Sequence, residues 1–272
     1  MKIAKVPLRV SFCGGQTDLP WYFEENEFGC VISSTINKYI CVMRDEKGKV
    51  NQINDIPPMS GLGGSSSYVV GQMYTEHPNM NLWQLAEEAY HHEVNVMKNN
   101  VGKQDHYSAV FGGLNYIKFY PTQEVGVSRV DIDVDDLFSK LVFISLGQKK
   151  IPSGKLLDGV KSNVKDNILQ LNELKNLTIE LATNHFSNFE EVLKESWKIK
   201  KSMSKKVTNN KIDDIYELGL KSGATCGKVC GSGGGGYLMM YFPNGTQMDF
   251  IKSNPKLKVE KFYYEPKGVQ LV

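Results

Sequence analysis

The stretch Pro57-Pro58-Met59-Ser60-Gly61-Leu62-Gly63-Gly64-Ser65-Ser66-Ser67 decides how this chain is read. Glycines at 61, 63 and 64 let the backbone approach a ligand and turn N–H groups toward it. The helix predicted to follow, Tyr68 to Met73, adds the positive end of its dipole, so the loop is suited to holding phosphate. Ser65, Ser66 and Ser67 stand where hydroxyls reach phosphate oxygens or a bound cation. A flexible Gly/Ser connection has the same composition. However, Pro57-Pro58 on one side and Tyr68-Val69-Val70 on the other bracket the loop, so it joins ordered elements. It lacks the Gly-Lys-Ser/Thr ending of a Walker loop, which disfavours a P-loop NTPase.

The whole chain sets the bounds. Its 272 residues, 41% hydrophobic, are enough for one large domain or two modest ones with a real core. A formal charge of +2 and a pI near 8.1 supply no field for nucleic acid, and no basic segment is interleaved with aromatics. No apolar run approaches the ~20 residues of a membrane span, and Met1 to Ser11 lacks a signal h-region, so a cytoplasmic protein is expected. Cys13, Cys30, Cys41, Cys226 and Cys230 form no Cys-x-x-Cys pair and read as reduced, packed thiols.

Along the chain, Ile3 to Phe12 alternates as a strand and stops at the turn Cys13-Gly14-Gly15-Gln16-Thr17-Asp18. Cys30 to Met43 is a long β-rich run. Leu82 to Met97 reads as a helix with a stripe of Leu82, Leu85, Ala86, Ala89, Tyr90 and Met97. Glu93 falls on that stripe, where an unpaired carboxylate is costly, so a metal ion, a buried cation or a bend to solvent must resolve it. Gly102-Lys103-Gln104-Asp105-His106-Tyr107 opens another helix with Asp105 in its first turn, a position that a simple cap also favours. Leu114 to Phe119, Val125 to Val134 and Leu141 to Ser145 read as strands. The cations Lys149, Lys150 and Lys155 flank a turn and suit either solvent or a substrate-borne phosphate. Leu157 to Lys201 is helical in pattern, and Asn209-Asn210 caps Ile212 to Ser222. The run Gly223 to Gly236 matches Gly-x-Gly-x-x-Gly at Gly231, Gly233 and Gly236, but a strand follows it rather than a helix, so a dinucleotide fingerprint is rejected.

The loop at 57–67 resembles the phosphate loop of the GHMP small-molecule kinases, roughly Pro-x-Gly-x-Gly-Leu-Gly-Ser-Ser. It departs at Met59, where the family usually has Gly, and at Gly64, where it usually has Ser. Pro7-Leu8-Arg9-Val10 with Gly14 to Asp18, the Asp105 segment with Phe111-Gly112-Gly113, and the Gly223–Gly236 run resemble other motifs of the same family. The resemblance implies an α+β fold, with a ribosomal-S5-like α/β domain over residues 1–140, a ferredoxin-like α+β domain over 141–272 and an active site in the cleft between them. It implies ATP on Pro58, Ser60, Gly61, Leu62, Gly63, Gly64, Ser65, Ser66 and Ser67, with Mg²⁺ on Ser65 and Glu93. Asp105 and Arg9 would be catalytic. Gly14, Gly15, Thr17, Asp18, Lys103, Gln104, Lys150, Lys228, Gly234 and Gly235 would bind substrate, and the third glycine run would pack over the phosphate loop. Only Arg44 to Asp55 separates the long second strand from that loop, where relatives place more elements. This favours segments missing between consecutively numbered flanks over a naturally abbreviated chain.

Gly14-Gly15-Gln16-Thr17-Asp18, Ile36-Asn37-Lys38-Tyr39, Gly102-Lys103-Gln104-Asp105 and the run from Gly227-Lys228 to Gly236 are together similar to the D-glycero-D-manno-heptose 7-phosphate kinases. That similarity implies phosphorylation of the anomeric hydroxyl of a heptose 7-phosphate, giving the 1,7-bisphosphate on the way to nucleotide-activated heptose for surface polysaccharide, by a monomer or homodimer. A kinase for fucose, galactose or mevalonate would keep Asp105 and Glu93 but lack a second phosphate pocket. A silent sugar-binding relative would need neither carboxylate.

Overall fold

The structure is a computed structural model and describes residues 1–148 and 164–272. Among them, strands β1 (Lys2–Cys13), β2 (Gly29–Arg44), β3 (Val50–Asn54), β4 (Leu114–Phe119), β5 (Val125–Arg129) and β10 (Gln270–Leu271) form one antiparallel sheet in the order β10-β1-β2-β4-β5, with β3 on the free end of β2. A second sheet has the order β7-β8-β6-β9, from Cys226–Val229, Gly236–Tyr241, Leu141–Gly147 and Val259–Glu260.

β1 does not keep the alternation expected of a half-exposed strand, for Val6 to Cys13 are buried without a break. Helices explain this, as continuous burial needs both faces of a strand covered. α2 (Gly64–Glu76) and α4 (Gln104–Phe111) pack on β1 and β2, and α3 (Leu82–His91) packs on both helices. α6 (Val164–Thr183) and α7 (Phe189–Met203) also reach β1, and α7 continues onto β7. The second sheet and the first thus share the helices between them, and the C-terminal strand returns to pair with β1.

Several local expectations change. The short stretch after β2 is a β2–β3 hairpin in regular register from Ile40↔Asn54 to Arg44↔Val50, and nine residues then lead from Asn54 to α2. A hairpin is sufficient to reach the loop. The strand expected over 125–134 ends at Arg129, because Asp133 caps a short helix, α5 (Val134–Ser139), by accepting the Asp136 N–H at 2.9 Å. The helix expected over 82–97 stops at His91 and passes into a π-helical turn, His92–Val96, which leaves Leu82 and Met97 exposed while Leu85, Ala86, Ala89 and Tyr90 stay in the core. α8 (Asn210–Lys221) begins as expected, with Asn209 accepting from Ile212 N–H at 3.1 Å. Lys149, Lys150 and Lys155 lie outside the described residues, and no described helix is long and apolar enough to cross a membrane.

α2 lies close on the sheet because Gly71 has no side chain. A Cβ there would fall 2.6 Å from Val42 Cγ2 and 3.0 Å from Val6 Cγ2. Gly→Ala inside a helix ordinarily gains up to about 1 kcal/mol. Here Gly71→Ala is expected instead to destabilise by ~1–3 kcal/mol, because the helix must lift from a packed sheet. Urea denaturation checks it, and an unchanged or raised midpoint refutes it.

Candidate active site

A cleft of about 300 Å³ opens between the glycine loop, the end of β1 with the turn after it, the start of α4, and the β7 side of the second sheet. At its centre Arg9, 4% exposed, is held as a fork. Its Nε donates to Asp105 Oδ1 at 2.7 Å, Nη2 donates to Asp105 Oδ2 at 2.6 Å, and Nη1 donates to the Gly61 carbonyl at 2.8 Å. The Arg9 backbone N–H also donates to Leu62 O at 3.0 Å. One residue of β1 therefore fixes both α4 and the loop. Gly63 suits this junction. It has φ +78°, and a Cβ would sit 3.3 Å from both Arg9 Cγ and Asp105 Oδ2. The third glycine run packs over the loop as expected, with Gly231 so close that a Cβ would lie 2.5 Å from Gly61 O.

Glu93 is fully buried at the loop's other end, carried by the π turn. Such turns recur at functional sites because they re-aim a side chain out of helical register. Ser65 Oγ and Asn99 Nδ2 donate to its Oε1 at 2.5 and 3.2 Å, and Ser66 Oγ and His106 Nε2 bond its Oε2 at 2.7 and 2.8 Å. Burial alone would push the carboxyl up, but the hydrogen bond and attraction of His106, with those of Ser65 and Ser66, outweigh it and hold Glu93 down at about 2. Asp18 is the converse case. Burial, with the nearby charge of Asp105, pushes its carboxyl up from 3.8 to about 6, although Gln104 N–H at 3.1 Å and Gln16 N–H at 2.9 Å both donate to it.

Of the residues expected at the site, Arg9, Gly14, Gly15, Asp18, Ser60, Gly61, Gly63, Gly64, Ser65, Ser66, Glu93, Gln104, Asp105 and Lys228 line the cleft. Others do not. Lys103 is wholly buried, with Nζ donating to Glu87 Oε1 at 2.6 Å and Tyr107 Oη donating to Glu87 Oε2 at 2.7 Å, so it clamps α3 to α4. Thr17 ties the turn to β2 through the Cys30 backbone, Ser67 donates to Pro7 O, Leu62 is in the core, and Pro58 is exposed. Gly234 bonds Val207 O and, like Gly235, stays off the cleft wall. Unforeseen lining residues are Ser11, Gln16, Asn99, Ser196 and Lys200. Ser11 could have been found, standing two residues from Arg9 on the same face of β1. Asn99 gave no signal, because the π turn that delivers Glu93 to it has none. Met59, where the family pattern has Gly, sits at φ 61°, the region that favours glycine.

The fold is that of the GHMP kinases, and the relatives and structural neighbours of this chain are kinases, ATP-dependent phosphotransferases acting on sugar or alcohol groups. No family model matches the chain. It is 26% identical to a D-glycero-alpha-D-manno-heptose 7-phosphate kinase of Campylobacter jejuni over 337 positions, covering 98% of this chain and 97% of that protein. Among solved structures, a D-glycero-D-manno-heptose 1-phosphate kinase from Bacteroides thetaiotaomicron superposes with TM-score 0.78 at 20% identity, covering 100% and 99% of the two chains. The mevalonate kinase of Methanococcus jannaschii gives 0.71 at 14% identity, covering 97% and 98%.

The two shifted carboxylates make opposite contributions to stability. Glu93, depressed from 4.5 to about 2, stabilises the fold above pH 4.5, and this is lost as pH falls toward 2. Asp18, raised from 3.8 to about 6, holds a proton that the unfolded chain releases, so its contribution is full below 3.8 and is lost as pH rises through 6. In melting temperature against pH, Glu93→Gln should flatten the acid limb and Asp18→Asn the decline from 3.8 to 6. Curves parallel to the wild type would refute both.

Proposed function

We propose that the protein is a cytoplasmic sugar kinase that transfers the γ-phosphoryl group of ATP to the anomeric hydroxyl of D-glycero-D-manno-heptose 7-phosphate. The product is the 1,7-bisphosphate, on the way to nucleotide-activated heptose for surface polysaccharide. The reading is supported by the curated relative that matches nearly the full length. The observation that carries the chemistry is the Arg9 fork joining Asp105 to the carbonyl of Gly61. Residues 1–140 and 141–272 are assigned to two domains flanking the cleft, with the last strand returning to the first.

In phosphoryl transfer the protein mainly positions groups and neutralises charge. The amides of Gly61 to Ser65, at the start of α2, receive the nucleotide phosphates. Asp105 orients the acceptor hydroxyl and takes its proton as the oxygen bonds to phosphorus and ADP departs. Two of the four lone-pair sites on its carboxylate accept from Arg9, which leaves others for that hydroxyl. Arg9 places a fixed positive charge beside the transferred group. Asp18 and Gln104 receive hydroxyls of the sugar.

Among the described residues no group of three or more His, Cys, Asp or Glu could hold a metal alone. Ser65 Oγ and Glu93 Oε1, now bonded to each other, nevertheless fit Mg²⁺ arriving with ATP, which would take the place of that hydrogen bond, since the ion is ordinarily held by one or two carboxylates plus substrate phosphates. Ser65 and Glu93 would hold it, and it would supply charge neutralisation at the phosphates.

A panel assay of ATP consumption tests the substrate. Heptose 7-phosphate should exceed free heptose by at least about tenfold in kcat/KM, the worth of one charge-assisted hydrogen bond. Preference for a neutral sugar or for mevalonate would overturn the reading. Asp105→Asn should lower kcat by about 10²–10⁴ with the KM for ATP little changed, and retention of more than half the activity would remove Asp105 from the chemistry. Glu93→Gln should raise the Mg²⁺ concentration needed for half-maximal activity, while an unchanged titration would leave Glu93 a purely structural anchor.

A further inference from the structure

Among the uncompensated polar groups of the cleft wall, which include Gln16 Oε1 and Gln104 Oε1, two stand close together and are of complementary kinds. Lys228 on β7 is 5% exposed, and its Nζ donates to the carbonyl of Phe12 at 2.8 Å. Among the described residues no carboxylate forms an ion pair with it. Burial depresses the lysine, and Arg9 nearby adds to that. Ser11, also 5% exposed, has a hydroxyl with no hydrogen-bond partner. Both line the cleft, and the Phe12 carbonyl that holds Lys228 belongs to the residue after Ser11. A buried cation without a counter-charge and a buried hydroxyl without a partner are both costly, and one anion relieves both.

Their placement shows which anion. β1 meets the phosphate loop at Arg9, through Gly61 and Leu62. Phe12 lies three residues further on, roughly 10 Å along the strand and toward the turn that carries Asp18. Along β1 this is the direction away from the glycine loop, and the rise from Arg9 to Phe12 is comparable to the length of a seven-carbon sugar phosphate. Resting on the sugar-kinase reading, we propose that Lys228 and Ser11 form the anion subsite of the acceptor, receiving the phosphate that the sugar already carries. The Arg9 charge is engaged by Asp105, and of the cleft's described lysines it is Lys228 that stands beside Ser11, held through the Phe12 carbonyl.

The test compares kcat/KM for heptose 7-phosphate with that for free heptose in the wild type, Lys228→Met and Ser11→Ala, with KM for ATP measured alongside. Lys228→Met should cut the ratio by about 10- to 100-fold, the loss of one charge-assisted hydrogen bond, and leave KM for ATP within about twofold. Ser11→Ala should cut the ratio a few-fold without lowering the melting temperature, because it removes an unpaired buried hydroxyl. This second variant decides the matter if Lys228→Met does not fold. A wild-type preference that survives in both variants overturns the subsite and leaves the sugar-phosphate reading standing. A raised KM for ATP with the ratio intact moves Lys228 to the nucleotide side, which also overturns it. A wild type without any preference for the phosphorylated sugar removes the substrate reading and the subsite together.

Discussion

The guanidinium of Arg9 is the constraint on which the cleft depends. Arg9 is almost wholly buried in the first strand, and its planar fork reaches two partners: the Asp105 carboxylate on α4 and the Gly61 carbonyl in the glycine loop. A bidentate arginine–carboxylate pair fixes direction as well as distance. The loop's backbone thus comes to rest against the acid, and Gly63 suits the junction because its φ of +78° favours glycine and a Cβ would press on both members of the pair at 3.3 Å.

Charge in the cleft is balanced locally, by a different device for each acid. Asp105 has an arginine, Glu93 has two hydroxyls, an amide and an imidazole, and Asp18 has two backbone amides. The devices are unequal. Neutral backbone dipoles do not overcome burial at Asp18, whereas at Glu93 the donors do. The cleft therefore holds one carboxylate that readily takes a proton and one that resists it.

Close approach of backbones does the remaining work. Gly71 lets α2 settle on Val6 and Val42, and Gly231 lets the second sheet's glycine run close over Gly61. Both contacts press the glycine loop and the helix it opens between layers contributed by distant parts of the chain. Met59 keeps a left-handed backbone without being glycine, a strained position at the entrance to the same loop.

The sequence by itself determined the long strands β1, β2, β4 and β6 and the main helices, though not β3, α5 or the π turn, together with the glycine loop opening a helix and the identity of Arg9, Asp18, Glu93 and Asp105 as groups of interest. These are local signals: periodicity, turn residues and a carboxylate on an apolar stripe all act within a few residues. Only the tertiary structure decided which partners those groups meet. Lys103 looked like a ligand beside Asp105, but Glu87, sixteen residues earlier, draws it into the α3–α4 contact. Thr17 and Ser67 looked like cleft hydroxyls, yet each is used to satisfy a backbone carbonyl of another strand. Ser11 and Lys228 are 217 residues apart in the chain, and their shared lack of compensation exists only once β7 lies beside β1. Hydrogen bonding and desolvation depend on what is near in space, and a sequence records only what is near along the chain.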